Sequence, residues 1–199
     1  LDDEGRHPAG RPGLVHLAGL PDGGLSGDDP ADESLRPGHL GLAREHGVEL
    51  RDLRKPPPEL SVPTGENLQV PAKIVLTVGS DCAIGKKTVA VELDLAARNR
   101  GLKSVFVPTG QTGIAIAGWG IAIDAVIADF LAGAAEQLVV EGSQRGGDLL
   151  WVEGQGSLAH PAYSGVTMGL IHGSAPHAYV FVHKARATHV EGYPDHPLP

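Results

Sequence analysis

Apolar residues along this chain fall into short blocks that alternate with amphipathic stretches, and this alternation begins after residue 70. Four blocks of apolar and β-branched side chains have the pattern of buried strands: residues 73–78, 104–107, 149–152 and 178–182. Two stretches have apolar residues at helical spacing: 86–99, which Gly101 ends, and 121–138. Short strands that alternate with helices predict an α/β fold, a parallel sheet with right-handed crossovers and helices on both faces.

The first 70 residues have a different pattern. Their apolar positions show little periodicity apart from a short run at 14–17 and a possible helix at 39–46, and three consecutive prolines at 56–58 form a stiff spacer. We predict that residues 1–70 are a partial domain with a linker, and that residues 71–199 are an α/β domain that is incomplete at its C-terminus. Disorder of the acidic, proline-rich N-terminal part is the alternative.

Composition narrows the class of protein. The 199 residues are 41% hydrophobic and carry a net charge of −8, which disfavours binding to nucleic acid or to an acidic membrane surface. Cys82 is the single cysteine, so the chain contains no internal disulfide and a reducing cytoplasm fits best. We expect a small-molecule substrate, no nucleic-acid or membrane partner, and a homo-oligomer.

A glycine-rich loop lies between the first strand of this pattern and the helix at 86–99. Its glycines allow backbone N–H groups to point inward around an anion, the helix N-terminus adds partial positive charge, and a lysine adds a full charge. A strand before the loop and a helix after it are the context of a phosphate-binding P-loop. We predict that the loop binds the cofactor through Gly79, Ser80, Asp81, Cys82, Ala83, Ile84, Gly85, Lys86, Lys87 and Thr88.

This loop departs from the standard motif in two ways. One extra residue separates its glycines, and two lysines stand where one is usual, so that Thr88 is displaced by one position. We favour Lys86 over Lys87 as the phosphate lysine, because Lys86 follows Gly85 directly. The helix-N-terminal position of Cys82 could lower the pKa of its thiol, although we favour a small loop residue over a nucleophile.

Polar residues follow the second and third strands, and the carboxyl ends of parallel strands form the ligand-binding edge of such a sheet. After the second strand come the predicted substrate-binding residues Thr109, Gly110, Gln111 and Thr112, and then Asp124, a candidate catalytic acid. Glu153 closes the third strand in the Walker B position, where a carboxylate holds magnesium or acts as a general base. His160 and His172 are further acid/base candidates, and their spacing does not indicate a zinc site.

Four motifs together resemble the D-glutamate N-acetyltransferase-like family: residues 79–86, 108–113, 123–130 and 152–161. The resemblance runs from about residue 51 to residue 183. It implies an N-terminal Rossmann-like domain, of which residues 47–57 look like the end, followed by a P-loop domain. The chain thus resembles a truncated member of that family.

The resemblance implies transfer of an acetyl group from acetyl-CoA to the amine of a D-amino acid, D-glutamate by analogy. Glu153 or His160 would be the base, the amides at 110–113 or the Thr109 and Thr112 hydroxyls would stabilise the oxyanion, and Lys87 would bind a substrate carboxylate. The extended loop from Gly79 to Lys86 and the Val152–Gly154 strand end are also similar to dethiobiotin synthetase, which supports the predicted fold. That similarity leaves open an ATP- and Mg²⁺-dependent kinase or ligase, with Thr88 and Glu153 on the metal. A non-catalytic nucleotide-binding domain is the third reading.

Overall fold

A computed structural model of the chain describes residues 14–17 and 37–198. Contacts between residues divide the chain into two compact units, Leu1–Lys55 and Pro56–Pro199. Within the described residues, no helix has both the length and the apolar character that crossing a bilayer requires.

The first unit contains two strands and a helix. Strand β1 (Leu14–Leu17) pairs in parallel with β2 (Glu49–Asp52), and helix α1 (Pro37–Glu45) lies between them in sequence. Gly47 ends the helix with a positive φ of 62°, and the Val48 amide donates to the Ala43 carbonyl across that turn. The short apolar run and the possible helix predicted near this place are therefore a strand and a helix. The assignment of residues 1–70 to a Rossmann-like remnant stays a prediction.

The second unit is built on a four-stranded parallel sheet with helices on both faces, which confirms the predicted P-loop α/β fold. Its strands are β3 (Lys73–Gly79), β4 (Ser104–Val107), β5 (Leu149–Val152) and β6 (Ala178–Val182), in the spatial order β4-β5-β3-β6. The helices are α2 (Lys86–Asn99), α3 (Gln111–Ala117), α4 (Leu131–Gln144) and α5 (Ser164–Ser174). A short antiparallel pair, β7 (His189–Val190) and β8 (Tyr193–Pro197), follows the sheet.

The core of this unit lies between the sheet and the helices α4 and α5. Burial is complete for the central strand residues Ile74, Leu76 and Leu150, and α4 packs against α5 more extensively than any other pair of elements. Strands that are buried on both faces carry nearly continuous apolar residues, which is why the apolar blocks in the sequence predicted these strands. The carboxyl ends of β3, β4 and β5 therefore meet on a rigid scaffold.

The predicted helix at 121–138 is wrong. Two 3₁₀ turns, Ile123–Ala125 and Ala128–Phe130, come first, and α4 begins only at Leu131. Val126, between the turns, has an extended backbone with ψ of 137°. Residues three apart in a 3₁₀ turn lie on the same side, so that Ile123 and Val126 are both buried without a continuous helix. The sequence pattern did not distinguish these two ways of burying the same side chains.

Candidate active site at the phosphate loop

Most of the functional residues predicted from sequence line one cavity of about 580 Å³ at the carboxyl edge of the sheet. It lies where β3, β4 and β5 end, as expected for a ligand site in an open parallel sheet. Its walls come from the phosphate loop, the start of α3, the β5 end and the start of α5. The lining residues are Cys82, Ala83, Ile84, Gly85, Lys86, Lys87, Thr88, Gly110, Gln111, Thr112, Asp124, Glu153, Gly154, Gln155, Gly156, Tyr163 and Val166.

Backbone conformation makes the phosphate loop compact. Gly85 adopts a φ of 102° immediately before α2, a conformation that favours glycine. Gly79 lies so close to the loop that a Cβ there would be 2.7 Å from Ile84 Cδ1 and 3.2 Å from Lys86 Cδ. The two glycines therefore permit the tight turn that a phosphate-binding loop needs.

Lys86 is held inside the loop. Its side chain is buried, and its Nζ donates a 2.6 Å hydrogen bond to the Asp81 carbonyl. Burial lowers the pKa of the Lys86 ammonium, and the nearby Cys82 and Asp81 groups offset part of that shift. This placement agrees with the expectation that Lys86 is the phosphate lysine. Lys87, half-buried, and Thr88, exposed, line the same cavity.

Three loop residues in the predicted cofactor set, Gly79, Ser80 and Asp81, do not line the cavity. The Ser80 hydroxyl is 2.9 Å from His183 Nδ1. The Asp81 carboxylate accepts hydrogen bonds from the Cys82 and Glu191 amides, each at 2.7 Å. Both side chains thus connect the loop to its surroundings, and their arrangement favours a role in holding the loop's shape.

The environment of Cys82 disfavours a nucleophilic thiolate. Burial raises the pKa of its thiol, the Lys86 charge lowers it in part, and Asp81 raises it further. The expected lowering by the helix N-terminus is therefore not what this environment produces. The Cys82 sulfur lies within 4.8 Å of ligand-type atoms of Asp81 and His160, although hydrogen bonds to backbone groups already hold both neighbours.

Glu153 is the buried acid of the cavity. Its Oε2 accepts hydrogen bonds from the Thr109 amide at 2.9 Å and the Gly110 amide at 3.1 Å, so the end of β5 is joined to the end of β4. Burial raises the pKa of the Glu153 carboxyl above its ordinary value, and those two amides, the Lys87 charge and the Gln155 amide offset only part of the shift. A carboxylate with a raised pKa is a stronger base than an ordinary glutamate, and at a ligand cavity it is suited to accept a proton.

Several glycines make room for this carboxylate. A Cβ on Gly113 would lie 2.2 Å from Glu153 Oε2, and a Cβ on Gly154 would lie 1.7 Å from the Thr77 carbonyl oxygen. The Gly154 amide instead donates to the Thr77 hydroxyl at 2.8 Å. The glycines next to the predicted site are thus required by close packing around Glu153 and the β5 end.

His160 lies outside the cavity lining and is almost completely buried. Its Nδ1 accepts a hydrogen bond from the Ala162 amide, so the proton resides on Nε2, which is 3.2 Å from the Glu191 carbonyl and donates to it. The ring also stacks on Tyr163, with 4.6 Å between centroids. With both nitrogens occupied, this arrangement favours a structural role over the predicted acid/base role. His172 is exposed on α5 and does not line the cavity either.

The predicted substrate-binding residues separate into two groups. The Thr109 hydroxyl is fully buried and donates to the Glu153 carbonyl at 2.7 Å, so it does not reach the cavity. Gly110, Gln111 and Thr112 do line it, at the start of α3, and Asp124 faces it from an exposed 3₁₀ turn.

Sequence reasoning missed five lining residues. Gly154, Gln155 and Gly156 follow Glu153 directly, and their position beyond a strand end was the available signal. Tyr163 immediately precedes α5 and Val166 lies in its first turn, and the sequence pattern did not reveal where this helix starts. The Gln155 amide donates to the Thr109 hydroxyl at 3.2 Å, while the Gln155 carbonyl accepts from Thr167. These contacts join the β5 end to both neighbouring walls.

Comparison with known proteins adds independent information about this domain. A family model described as "Domain of unknown function (DUF1611_C) P-loop domain" matches residues 61–199. A protein from Tritonibacter scottomollicae named D-glutamate N-acetyltransferase is 44% identical over 158 residues, which cover 79% of this chain and 46% of that protein. One from Pseudoalteromonas sp, with the same name, is 42% identical over 153 residues, covering 77% and 45%.

A solved structure is similar as well. The crystal structure of a DUF1611 family protein from Anabaena variabilis has a TM-score of 0.73 and 44% sequence identity, over 83% of this chain and 45% of that chain. The chain spans about half the length of the curated relatives it matches. The comparisons thus relate the sheet and the phosphate loop described above to proteins with a longer chain.

Proposed function

This chain belongs to the DUF1611 P-loop domain family, and we propose that it forms the phosphate-binding part of an N-acetyltransferase. Membership confirms the resemblance indicated by the four sequence motifs. We propose acetyl-CoA as the acetyl donor and the amine of D-glutamate as the acceptor, because both curated relatives are named for that amino acid. A cytoplasmic location and a homo-oligomer stay predictions.

One observation carries this proposal: a buried carboxylate with a raised pKa faces the same cavity as the phosphate loop. The donor set of the loop fits the diphosphate of coenzyme A. Gly79 and Gly85 permit its compact turn, and Lys86 and Lys87, which line the cavity, supply two cations. Both ligand binding and proton removal are thus available within one cavity.

Glu153 is the group best placed to act as the base. Acetyl-CoA supplies a thioester, so that the acetyl carbon gains a bond to the amine nitrogen and loses its bond to sulfur, which leaves as the thiol. The Glu153 carboxylate removes the proton that the ammonium must lose before its nitrogen can attack. Amides of Thr109 and Gly110 hold one oxygen of that carboxylate in place.

Donors for the carbonyl oxygen of the acetyl group come from the start of α3, next to Glu153. Gln111 and Thr112 line the cavity there, whereas the Gly110 amide is already bonded to the Glu153 carboxylate. Such donors stabilise the negative charge that develops on that oxygen during transfer. The Thr109 hydroxyl is excluded from this role by its bond to the Glu153 carbonyl.

A second candidate function rests on Thr88. Its hydroxyl lines the cavity together with Glu153, which is the pair that would hold Mg²⁺ in an ATP-dependent kinase or ligase. In that case Glu153 is a metal ligand rather than a base. The third reading, a binding domain without catalysis, predicts ligand binding alone.

An acetyl-transfer assay separates these functions. The purified chain is incubated with acetyl-CoA and D-glutamate, with L-glutamate as the matched acceptor control, and thiol release is measured with and without EDTA. The proposal predicts thiol release that requires D-glutamate and that survives the chelator. ATP hydrolysis that stops with EDTA, without acetyl transfer, would support the kinase or ligase instead. Binding of coenzyme A without either reaction would support the binding domain.

A further inference from the structure

Lys87 occupies a position of known importance in phosphate loops. The residue after the phosphate lysine is ordinarily serine or threonine, and its hydroxyl binds the Mg²⁺ that accompanies a nucleotide. Here Lys86 is the buried loop lysine with its Nζ on the Asp81 carbonyl, so the next position belongs to Lys87. A cationic side chain thus replaces the usual metal ligand.

The surroundings of Lys87 match those of the Mg²⁺ ion in nucleotide-binding phosphate loops. In P-loop enzymes that ion lies between the phosphates and the Walker B carboxylate. Lys87 lies in the first turn of α2 and lines the cavity together with Glu153, the acid in the Walker B position. The Lys87 charge also lowers the pKa of the Glu153 carboxyl in part, as expected of two oppositely charged groups that line one cavity.

Charge at this wall disfavours a divalent cation. A Mg²⁺ ion beside Lys86 and Lys87 would be repelled by two ammonium groups in a partly buried site, where charges interact more strongly than in bulk water. The diphosphate of coenzyme A bears two negative charges, which two lysines balance. The triphosphate of ATP bears more charge and normally requires the metal.

We propose that the Lys87 ammonium takes the place of the metal ion, so that this phosphate loop binds a diphosphate without Mg²⁺ and selects it over a Mg²⁺–nucleoside triphosphate. The identity of the diphosphate carrier, coenzyme A, rests on the proposed function. The role of Lys87 as the cation rests instead on its position after Lys86 in the phosphate loop and on its place in the cavity lining. Lys87 is thereby a specificity-determining residue for the cofactor rather than a ligand of the acceptor's carboxylate.

Calorimetry on the chain tests this with three probes: coenzyme A, ADP and ATP, each in Mg²⁺ and in EDTA. We expect the wild type to bind coenzyme A equally in both conditions, more tightly than it binds Mg²⁺–ATP. Lys87→Ala should weaken coenzyme A binding by about tenfold to a hundredfold, because it removes a charge-assisted phosphate contact. Lys87→Thr should weaken it similarly in EDTA, and Mg²⁺ should restore several-fold of the loss in this variant alone.

Lys103→Ala is the matched control. Lys103 precedes β4 at the opposite edge of the sheet, its side chain is 75% exposed, and it pairs loosely with Asp148 at 3.8 Å. Removing that charge should leave coenzyme A affinity unchanged. Thermal unfolding of each variant checks that a loss of affinity does not reflect a loss of fold.

Three results would overturn the inference. Wild-type binding that strengthens with Mg²⁺, and loses this response in Thr88→Ala, would place a metal on Thr88. Unchanged coenzyme A affinity in Lys87→Ala would remove Lys87 from the phosphates. Absence of binding by all three probes would refute a phosphate site altogether.

An acetyl-transfer assay separates the inference on Lys87 from the proposed function. If the Lys87 variants lose coenzyme A affinity as expected but the wild type transfers no acetyl group, only the transferase is refuted. If the wild type transfers the acetyl group but the Lys87 variants keep their affinity, only the role of Lys87 is refuted.

Discussion

Glu136 and Glu153 are both buried in the P-loop unit, with 5% and 3% of their surface exposed, yet their carboxyl pKa values shift in opposite directions. Glu136 lies in helix α4, whereas Glu153 directly follows strand β5 and lines the cavity. The contrast shows that low solvent exposure alone does not set the direction of a carboxyl pKa shift.

Glu136 is surrounded by donors. Its two carboxylate oxygens accept hydrogen bonds from the Thr64 amide, the Thr64 hydroxyl, and the amides of Gly65 and Asn67, at 2.6 to 3.4 Å. Burial by itself raises the pKa of the Glu136 carboxyl, but these bonds outweigh it, and the pKa lies below its ordinary value. The charged carboxylate therefore anchors residues 64–67 onto α4.

Glu153 has fewer donors and an open side. The two backbone amides engage Oε2, the Gln155 side chain is a third donor, and Glu153 lines the cavity. The effect of burial on the Glu153 pKa therefore exceeds that of its donors, and Glu153 takes up a proton more readily than an ordinary glutamate. Low solvent exposure alone does not identify a candidate catalytic acid, because the hydrogen-bond donors around a carboxylate also shift its pKa.

The largest expected effect is on turnover. Glu153→Gln should lower the rate of acetyl transfer by about 10²- to 10⁴-fold, because it removes the base while preserving the shape of the side chain. Coenzyme A affinity should change little, since a base acts in the transition state. Steady-state kinetics with calorimetry measures both quantities.

Glu136→Gln is the matched control for that variant. It neutralises an equally buried glutamate away from the cavity and should leave the turnover of the folded enzyme nearly unchanged. Full activity in Glu153→Gln would mean that another group removes the proton. An equal loss of turnover in both variants would mean that the comparison reflects stability rather than chemistry.

A smaller effect is expected at Gly113, whose missing Cβ makes room for the Glu153 carboxylate. The Cβ of Gly113→Ala would lie 2.2 Å from Glu153 Oε2, so the carboxyl group must move away from the Thr109 and Gly110 amides. We expect turnover to fall about tenfold, since a displaced base is less effective. Thermal stability should fall as well, because the displaced carboxyl group loses its hydrogen bonds to those two amides.

Gly41→Ala provides the control for Gly113→Ala, because a Cβ on Gly41 in α1 would meet no atom within 4 Å. Its kinetics should match those of the wild type. Unchanged turnover in Gly113→Ala would show that Glu153 keeps its position by shifting its neighbours, and that the glycine is not needed for catalysis.

The sequence revealed Glu153 but not the role of Glu136, for a physical reason. Glu153 follows an apolar strand at the ligand edge of a parallel sheet, a local pattern that a single segment displays. Glu136 interrupts an apolar stretch and looks like a surface acid, because its partner Thr64 lies 72 residues away in sequence. A hydrogen bond over that distance leaves no local signal.

The strands and α2 were predictable because each carries its own pattern, whereas α3 and α5 were not. Helix α3 has only seven residues, including Thr112 and Gly113, and α5 contains three glycines and Thr167. Glycine and threonine have low helix propensity, so that neither segment displays a clear helical pattern in the sequence. His160 shows the same limit. A histidine in a loop indicates chemistry by its residue type, but its two backbone partners at Ala162 and Glu191 become visible only in the folded chain.

The smallest expected effect is on the pH dependence of stability, where the two glutamates should act with opposite sign. The folded-state pKa of Glu136 is lowered, so its contribution is present above the unfolded pKa, about 4.3, and is lost as the pH falls through the folded value. The folded-state pKa of Glu153 is raised, so stability is lost as the pH rises through that value.

We would measure urea unfolding between acid and neutral pH for wild type, Glu136→Gln and Glu153→Gln. Wild type should exceed Glu136→Gln by about 1–3 kcal/mol at neutral pH, the scale of hydrogen bonds to a charged group, and the difference should shrink on acidification. Relative to Glu153→Gln, wild type should instead lose stability as the pH rises. Parallel pH profiles for the two variants would show that the two carboxyl groups do not differ in the way their donors indicate.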